Sequence, residues 1–227
     1  MNDHKILIID TTLSGISIGI ATKELPYPKL IYESLYLETQ DSARVLPMMY
    51  QQVRHLCPDD LYGIILANGP GSFTGIKVGY SFVLGLLRGG GLPHCEMRVA
   101  SSLASISYWD ETSVFLLPST KFKGYVGFRG KIEIIEANQT MASKLHKVNG
   151  GIANLSVTML RPWPQAIPYL DEKQDISLTT LETDQASSLS LRCLAKIFDT
   201  AQIVTTDDPI TVNYMRKSTA EERLEEK

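Results

Sequence analysis

The stretch from residue 66 to residue 79 runs from an apolar strand through a glycine-rich turn directly into a helix. The turn is Asn68-Gly69-Pro70-Gly71, whose glycines accept unusual backbone angles and whose proline pre-sets its own. Ser72 or Thr74 can cap the helix that follows. Because a helix N-terminus offers free N–H groups and the positive end of the helix dipole, this pattern predicts a site for a phosphate or carboxylate.

Two familiar phosphate loops do not fit this stretch. A Walker A motif requires Gly-Lys-Ser or Gly-Lys-Thr, whereas Lys77 stands between two apolar residues. The dinucleotide fingerprint requires G-x-G-x-x-G, whereas Gly69, Gly71 and Gly75 are spaced G-x-G-x-x-x-G. A turn whose glycines serve only close packing is the alternative, and the residues alone favour neither interpretation.

The helix after the turn is apolar on two sides. One face consists of Phe73, Ile76, Tyr80, Val83, Leu84 and Leu87, and the other of Val78, Phe82 and Leu86. Gly75, Gly79 and Gly85 each lower helix propensity by about 1 kcal/mol relative to Ala, which indicates that something packs closely against this backbone. The second face meets either the core of the chain or a partner chain, and both interpretations have equal weight here.

The composition is that of an ordinary globular protein. In 227 residues, 44% are hydrophobic and 21% are charged, and the formal net charge is −3. This charge argues against the chain gripping nucleic acid by itself. A local basic run comprises Lys121, Lys123, Arg129, Lys131, Lys144 and Lys147. Such charges more often lie on the solvated face of strands and loops than in a binding site.

The cysteines and histidines do not form a recognisable site. Cys57, Cys95 and Cys193 are widely spaced and include no C-x-x-C pair, so neither a disulfide framework nor a zinc site is predicted, and a reducing compartment is expected. The histidines are scattered at His4, His55, His94 and His146. The sequence lacks a signal-peptide pattern and a long apolar run, so a cytoplasmic location is expected.

The first hundred residues read as a βββαβα unit. Strands are predicted at 5–10, 16–21 and 31–37, and a helix begins at Asp41 or Ser42. That helix carries an apolar stripe of Leu46, Met49, Tyr50, Val53 and Cys57. A strand at 63–67 and the long apolar helix complete the unit.

The second half repeats the opening meander in weaker form. A strand at 94–99 and a helix from Ser101 or Ser102 lead to candidate strands at 114–117, 125–128 and 132–136. Asp184 is predicted to cap a later helix, and residues 203–205 to form a short strand. We therefore expect an N-terminal lobe at 1–100, a divergent C-terminal lobe at 101–217 and a mobile tail at 218–227.

Four segments together resemble the TsaB (YeaZ) family. They are Asp10-Thr11-Thr12 near the start, Leu46-Pro47, the glycine run at 69–75, and the ending Pro209 with Tyr214-Met215-Arg216. The resemblance covers the whole chain. It implies an α/β fold of the actin-like ATPase (RNase H-like) class, with two related lobes of mixed sheet and flanking helices.

The resemblance also implies a role in making N6-threonylcarbamoyladenosine in tRNA. In that pathway TsaD carries the metal and transfers the threonylcarbamoyl group, TsaE contributes an ATPase, and a TsaB-like subunit pairs directly with TsaD without being the catalyst. It would reach tRNA only through the complex, would form a homodimer when alone, and would need no cofactor and no membrane.

Two sets of site residues are predicted, the first from the resemblance and the second from the glycine-rich turn before the helix. The partner surface is the helix pair at about 42–56 and 72–87, with Leu46, Met49, Tyr50, Val53, Ile76, Val78, Gly79, Phe82 and Leu86. The candidate nucleotide or anion loop comprises Asp10, Thr11, Thr12, Gly69, Gly71, Ser72 and Thr74. No catalytic or metal-binding residue is assigned.

The chain departs from the family pattern at Asp41-Ser42, at Lys77 in place of Arg, and at Pro118-Ser119-Thr120. An Arg would offer bidentate geometry that Lys77 lacks. One rival hypothesis is a small actin-like phosphotransferase that uses Asp10 with the glycine loop. A peptidase is a less favoured third hypothesis, because no His stands near a candidate Ser or Cys in the sequence.

Overall fold

A computed structural model describes residues 4–13, 15–22, 26–38, 41–56, 61–89, 92, 94–171 and 173–205. Cys57, the family-like ending at 209–216 and the predicted tail at 218–227 lie outside these ranges.

The first half forms a mixed sheet with helices on its faces. Its elements are β1 Lys5–Asp10, β2 Ile16–Thr22, β3 Lys29–Tyr36, α1 Ser42–Arg54, β4 Leu61–Ala67, α2 Phe73–Arg88, β5 Glu96–Ala100 and α3 Ser102–Trp109. The first three strands are an antiparallel meander; β4 adds a parallel strand beside β1, and β5 adds another beside β4. The continuous apolar runs of β1 and β4 fit central strands that are covered on both faces.

The second half has the same order of elements. They are β6 Ser113–Pro118, β7 Lys123–Phe128, β8 Lys131–Glu136, α4 Met141–Val148, β9 Leu155–Met159, α5 Ile167–Leu170, β10 Ile176–Thr180 and α6 Thr183–Lys196. Its sheet has the order β10-β9-β6-β7-β8, which matches β5-β4-β1-β2-β3 in the first half. The predicted repeat and the fold class of two related mixed sheets are therefore confirmed.

The two lobes exchange their last helices. α3 packs against β6, β7 and β8 of the second sheet, whereas α6 packs against β1, β2 and β3 of the first, and the two helices contact each other. After α6, a 3₁₀ helix (Phe198–Thr200) leads to β11 (Gln202–Val204), which pairs with β5 at the edge of the first sheet. The predicted lobe boundaries remain a prediction.

Local capping agrees with the sequence at two helices and differs at a third. Ser72 accepts a hydrogen bond from the Gly75 N–H at 3.1 Å and caps α2. Ser101 likewise caps α3 through the Ala104 N–H at 3.2 Å. The predicted cap of α6 at Asp184 is wrong, because Glu182 takes the extended cap position and forms a capping box with Gln185.

The helices within the described ranges are all too short or too polar to cross a membrane.

Candidate functional site

Asp10 lies at the end of β1, where the two lobes meet, and its side chain is buried. One carboxylate oxygen accepts hydrogen bonds from the Thr12 N–H and the Thr12 hydroxyl, both at 2.7 Å. The other oxygen accepts from the Ser102 hydroxyl at 2.6 Å and from the Ser190 hydroxyl. Ser102 begins α3 and Ser190 lies within α6, so a single carboxylate connects β1 to both exchanged helices.

Donor groups of the protein itself occupy the hydrogen-bond acceptor positions of the Asp10 carboxylate. A carboxylate has about four lone-pair positions, and four donors occupy them here. The geometry therefore makes Asp10 an anchor between the lobes. Sequence reasoning missed Ser102 and Ser190 as its partners, because only the three-dimensional path of α3 and α6 brings them to the end of β1.

The glycine-rich turn packs tightly against the hairpin that follows β1. A Cβ atom on Gly71 would lie 2.1 Å from the Thr12 carbonyl oxygen, and one on Gly75 would lie 1.8 Å from the Thr11 carbonyl oxygen. The Ser72 N–H donates to the Thr12 carbonyl oxygen at 2.8 Å, and the Thr11 hydroxyl donates to the Gly75 carbonyl oxygen at 2.8 Å. The spacing of these glycines thus follows the path of the hairpin across α2.

This contact favours the packing interpretation of the glycines. A protein carbonyl oxygen accepts the Ser72 N–H, and the Ser72 hydroxyl accepts from Gly75, so part of the helix N-terminus is already satisfied. Gly69 precedes Pro70 through a cis peptide bond. The side chain of Thr74 is exposed beside this turn. Anion binding by the predicted loop stays a prediction.

A cavity of about 250 Å³ lies between the lobes next to this turn. Its walls come from the two hairpins, the start of α2 and the segment that follows β9, and they include Thr11, Gly15, Ser72, Ser119 and Arg161. The Arg161 guanidinium donates to the Pro118 carbonyl oxygen, and burial lowers the pKa of this group. Even so, arginine remains charged at neutral pH, so the cavity has one positive wall and several hydroxyl groups.

The predicted partner residues fall into two groups. Leu46, Met49, Tyr50, Val53, Ile76 and Gly79 are buried, with exposures of 9% or less for the apolar side chains. They pack α1 and α2 onto the first sheet, so a surface role for these six is not supported. The periodic stripe of α1 marks the side that faces the sheet, and a partner could meet only the opposite side.

The other three predicted residues, Val78, Phe82 and Leu86, are half-buried along α2. The Phe82 ring meets the Tyr50 ring of α1 edge-on, with ring centroids 5.5 Å apart. Beside them, Gly85 is open, since a Cβ atom there would meet no atom within 4 Å. Two large side chains of the same helix pair are more exposed than the sequence predicted: Met48 (51% exposed) was not named, and Phe73 (40% exposed) was assigned to the other apolar face of α2.

The titratable groups give little sign of acid, base or metal chemistry. Among the described residues, no group of three His, Cys, Asp or Glu side chains is arranged to hold a metal ion. Burial raises the pKa of the Cys193 thiol to about 11, which keeps it protonated and unreactive at neutral pH. The His146 Nε2 atom lies 3.0 Å from the Asp175 carboxylate, and neither residue lines the interlobe cavity.

The chain is similar to known proteins in sequence and in structure. No family model matches the chain. It is 38% identical over 77 residues to the tRNA threonylcarbamoyladenosine biosynthesis protein TsaB of Bacillus subtilis (strain 168), which is 33% of this chain and 32% of that protein. The matched part thus spans about a third of that relative's length.

The structural neighbours cover far more of the chain. YeaZ from Pseudomonas aeruginosa has a TM-score of 0.60 at 15% identity, covering 92% of this chain and 99% of that one. A protein described as having similarity to peptidase YEAZ from Pseudomonas aeruginosa has a TM-score of 0.58 at 14% identity, with 93% and 99% covered. At these identities the likeness shows the fold, and with the sequence match it confirms the resemblance to TsaB and YeaZ.

Proposed function

Because the chain resembles TsaB and YeaZ in sequence and in fold, we propose that it acts in tRNA threonylcarbamoyladenosine biosynthesis as a non-catalytic subunit that pairs with TsaD. TsaE joins this complex, and tRNA is engaged by the complex as a whole. The same surface pairs two copies of the chain when TsaD is absent.

The observation that carries this proposal is the outer surface of α2. Val78 and Phe82 leave part of their apolar side chains exposed next to Gly85 and Ser81, whose small size admits a closely packed helix. On α1, Met48 is a further apolar side chain that is 51% exposed. Two helices from a partner of the same fold can pack on this pair, giving a layer of four helices with an apolar centre.

The Asp10 network supports a non-catalytic role. Four donors from the chain itself surround this carboxylate, which is 2% exposed. Using it as a catalytic base or a metal ligand would require breaking bonds that connect β1, α3 and α6. The role that this geometry supports is to hold the two lobes in one arrangement while the chain serves as a binding platform.

Complex formation with TsaD of the same organism tests the proposal. Purified proteins are mixed and analysed by light scattering after size exclusion, using wild type, Val78→Asp, Gly85→Glu and Gly85→Ala. A one-to-one complex is expected for wild type and Gly85→Ala, while the two acidic variants should lose it. The Gly85 pair is informative because the site is open, so Gly85→Glu adds bulk and charge without disturbing the core.

An actin-like phosphotransferase remains a second candidate, and the cavity that contains Arg161 favours it. A nucleotide phosphate could lie between Arg161 and the start of α2. Calorimetry with ATP, comparing wild type with Arg161→Met, tests this directly. Binding that depends on Arg161, together with ATP turnover, would favour the phosphotransferase, and its absence would leave the scaffold proposal alone.

A further inference from the structure

The second lobe contains a groove between its edge strand β8 and helix α4, with a volume of about 520 Å³. Its floor is apolar and includes Val126, Phe128 and Ile135, which are nearly inaccessible to solvent. Its rim carries the side chains of Lys131, Lys144 and Lys147. The groove is remote in the fold from the α1–α2 surface, since it belongs to the other sheet.

The charges around this groove are predominantly positive. Lys144 and Lys147 are three residues apart on α4 and so lie on one side of that helix, while Lys131 begins β8 opposite them. Glu133 is the one acidic residue among those lining the groove. Among the described residues, none of the three rim ammonium groups forms a salt bridge with a carboxylate.

Lys121 and Lys123 belong to the same basic run in the sequence but do not line the groove. Lys123 lies directly across from Glu136 in the β7–β8 register, which provides a local counter-charge. Lys121 extends over the Phe122 ring, 5.2 Å from its centroid. Only part of the basic run therefore converges, and it converges on a concave surface. This is notable in a chain whose formal net charge is −3.

From this convergence we infer that the β8–α4 groove binds the phosphate backbone of RNA. The inference rests on the proposed function, in which tRNA is the substrate of the assembled complex. Exposed lysines on separate elements act as point charges that neutralise successive phosphates, and they release counterions when they do so. The groove has no buried polar side chain to fix a small anion, whereas three exposed lysine ammonium groups suit a long polyanion.

Binding of tRNA to the TsaD complex tests this inference. A fluorescently labelled transcript of a tRNA that reads ANN codons is titrated and followed by anisotropy at several salt concentrations. The groove variant is the triple change Lys131→Ala, Lys144→Ala and Lys147→Ala. The matched control is Lys121→Ala, Lys123→Ala and Lys173→Ala, which removes the same charge from exposed positions outside the groove.

We expect the groove variant to raise the Kd for tRNA about tenfold, and to make the slope of log K against log salt shallower by about 2. The control should keep an affinity and a salt slope close to those of wild type. An equal loss of tRNA affinity in both variants would show an effect of net charge alone. An unchanged Kd in the groove variant would show that RNA does not occupy the groove. Either result overturns the inference.

Failure of the proposed function is distinguishable from failure of this inference. Complex assembly is measured first without RNA, so loss of assembly in the groove variant would identify a protein interface and overturn the RNA assignment. If wild type and TsaD do not associate at all, the proposed function fails. The same titration on the isolated chain then decides whether the groove binds RNA, with the control variant as before.

Discussion

A methyl group on Gly75 would lie 1.8 Å from the carbonyl oxygen of Thr11, while the Thr11 hydroxyl donates to the Gly75 carbonyl oxygen at 2.8 Å. This contact joins the first hairpin to the helix that carries the proposed partner surface. The glycine run that resembles a phosphate loop is therefore also the place where two backbones touch.

Two glycines of α2 should respond in opposite ways to the same change. Gly75→Ala is expected to lower the free energy of unfolding by about 3 kcal/mol, because backbone atoms of Thr11 must move. Gly85→Ala should raise it by about 1 kcal/mol, because the site is open and Ala favours helix. Urea unfolding measures both. Similar values for the two variants would contradict the packing role of Gly75.

Asp10→Asn should destabilise the protein by about 3 kcal/mol, because an amide nitrogen would replace one of two buried oxygens that now face only donors. Asp110→Asn is a matched control, since Asp110 accepts from the Thr112 N–H and hydroxyl in the same local pattern but in an exposed turn. The loss of stability in Asp110→Asn should stay below about 1 kcal/mol. Urea unfolding measures the stability of both variants, and an equal loss of stability in the two would refute the anchoring role of Asp10.

Arg98 holds the end of the second half on the first sheet. Its buried guanidinium pairs with Glu96 and donates to the carbonyl oxygens of Phe198 and Asp199 at 2.9 and 2.7 Å. Arg98→Met should cost about 3 kcal/mol of stability, because these oxygens lose their donor. Thermal unfolding checks this, with Arg44→Met as the exposed control. A stability equal to that of wild type would show that packing alone holds this segment.

Cys193 should resist alkylation in the folded protein. Burial raises the pKa of its thiol to about 11, so the reactive thiolate is scarce at pH 8. The preference for the protonated form stabilises the fold below the unfolded thiol's pKa and is lost as the pH rises towards 11. Iodoacetamide labelling followed by mass spectrometry should find Cys95 modified before Cys193, since Cys95 is more exposed. The reverse order would contradict this burial.

The central strands were predictable because their composition leaves few alternatives. The apolar runs of β1 and β4 and the turns between β1, β2 and β3 set the first sheet, and the strand candidates at 114–117, 125–128 and 132–136 became β6, β7 and β8. By contrast, β9 alternates polar and apolar residues over only five positions, and α5 has four residues including Pro168. Such short segments carry too weak a periodic signal to be assigned.

The candidate site was predicted less well, for a different reason. Ser190 meets Asp10 across 180 positions of sequence, and nothing in the apolar face of α6 tells which sheet it will cover. On α1, periodicity identified the stripe with Leu46 and Val53 but could not say whether the sheet or a partner covers it. The exchange of α3 and α6 between the lobes decides the first question, and the packing of α1 and α2 on the first sheet decides the second.

The measurement that tests the central claim most directly is tRNA threonylcarbamoylation in a reconstituted mixture, followed while the concentration of this chain is varied. For Gly85→Glu, the account predicts a large loss of activity at low concentration and recovery at high concentration, because only the affinity for TsaD has changed. Arg161→Met, in the interlobe cavity, should reach the wild-type maximal rate. The account would be contradicted if Arg161→Met lowered the maximal rate while Gly85→Glu kept wild-type activity at every concentration of the chain.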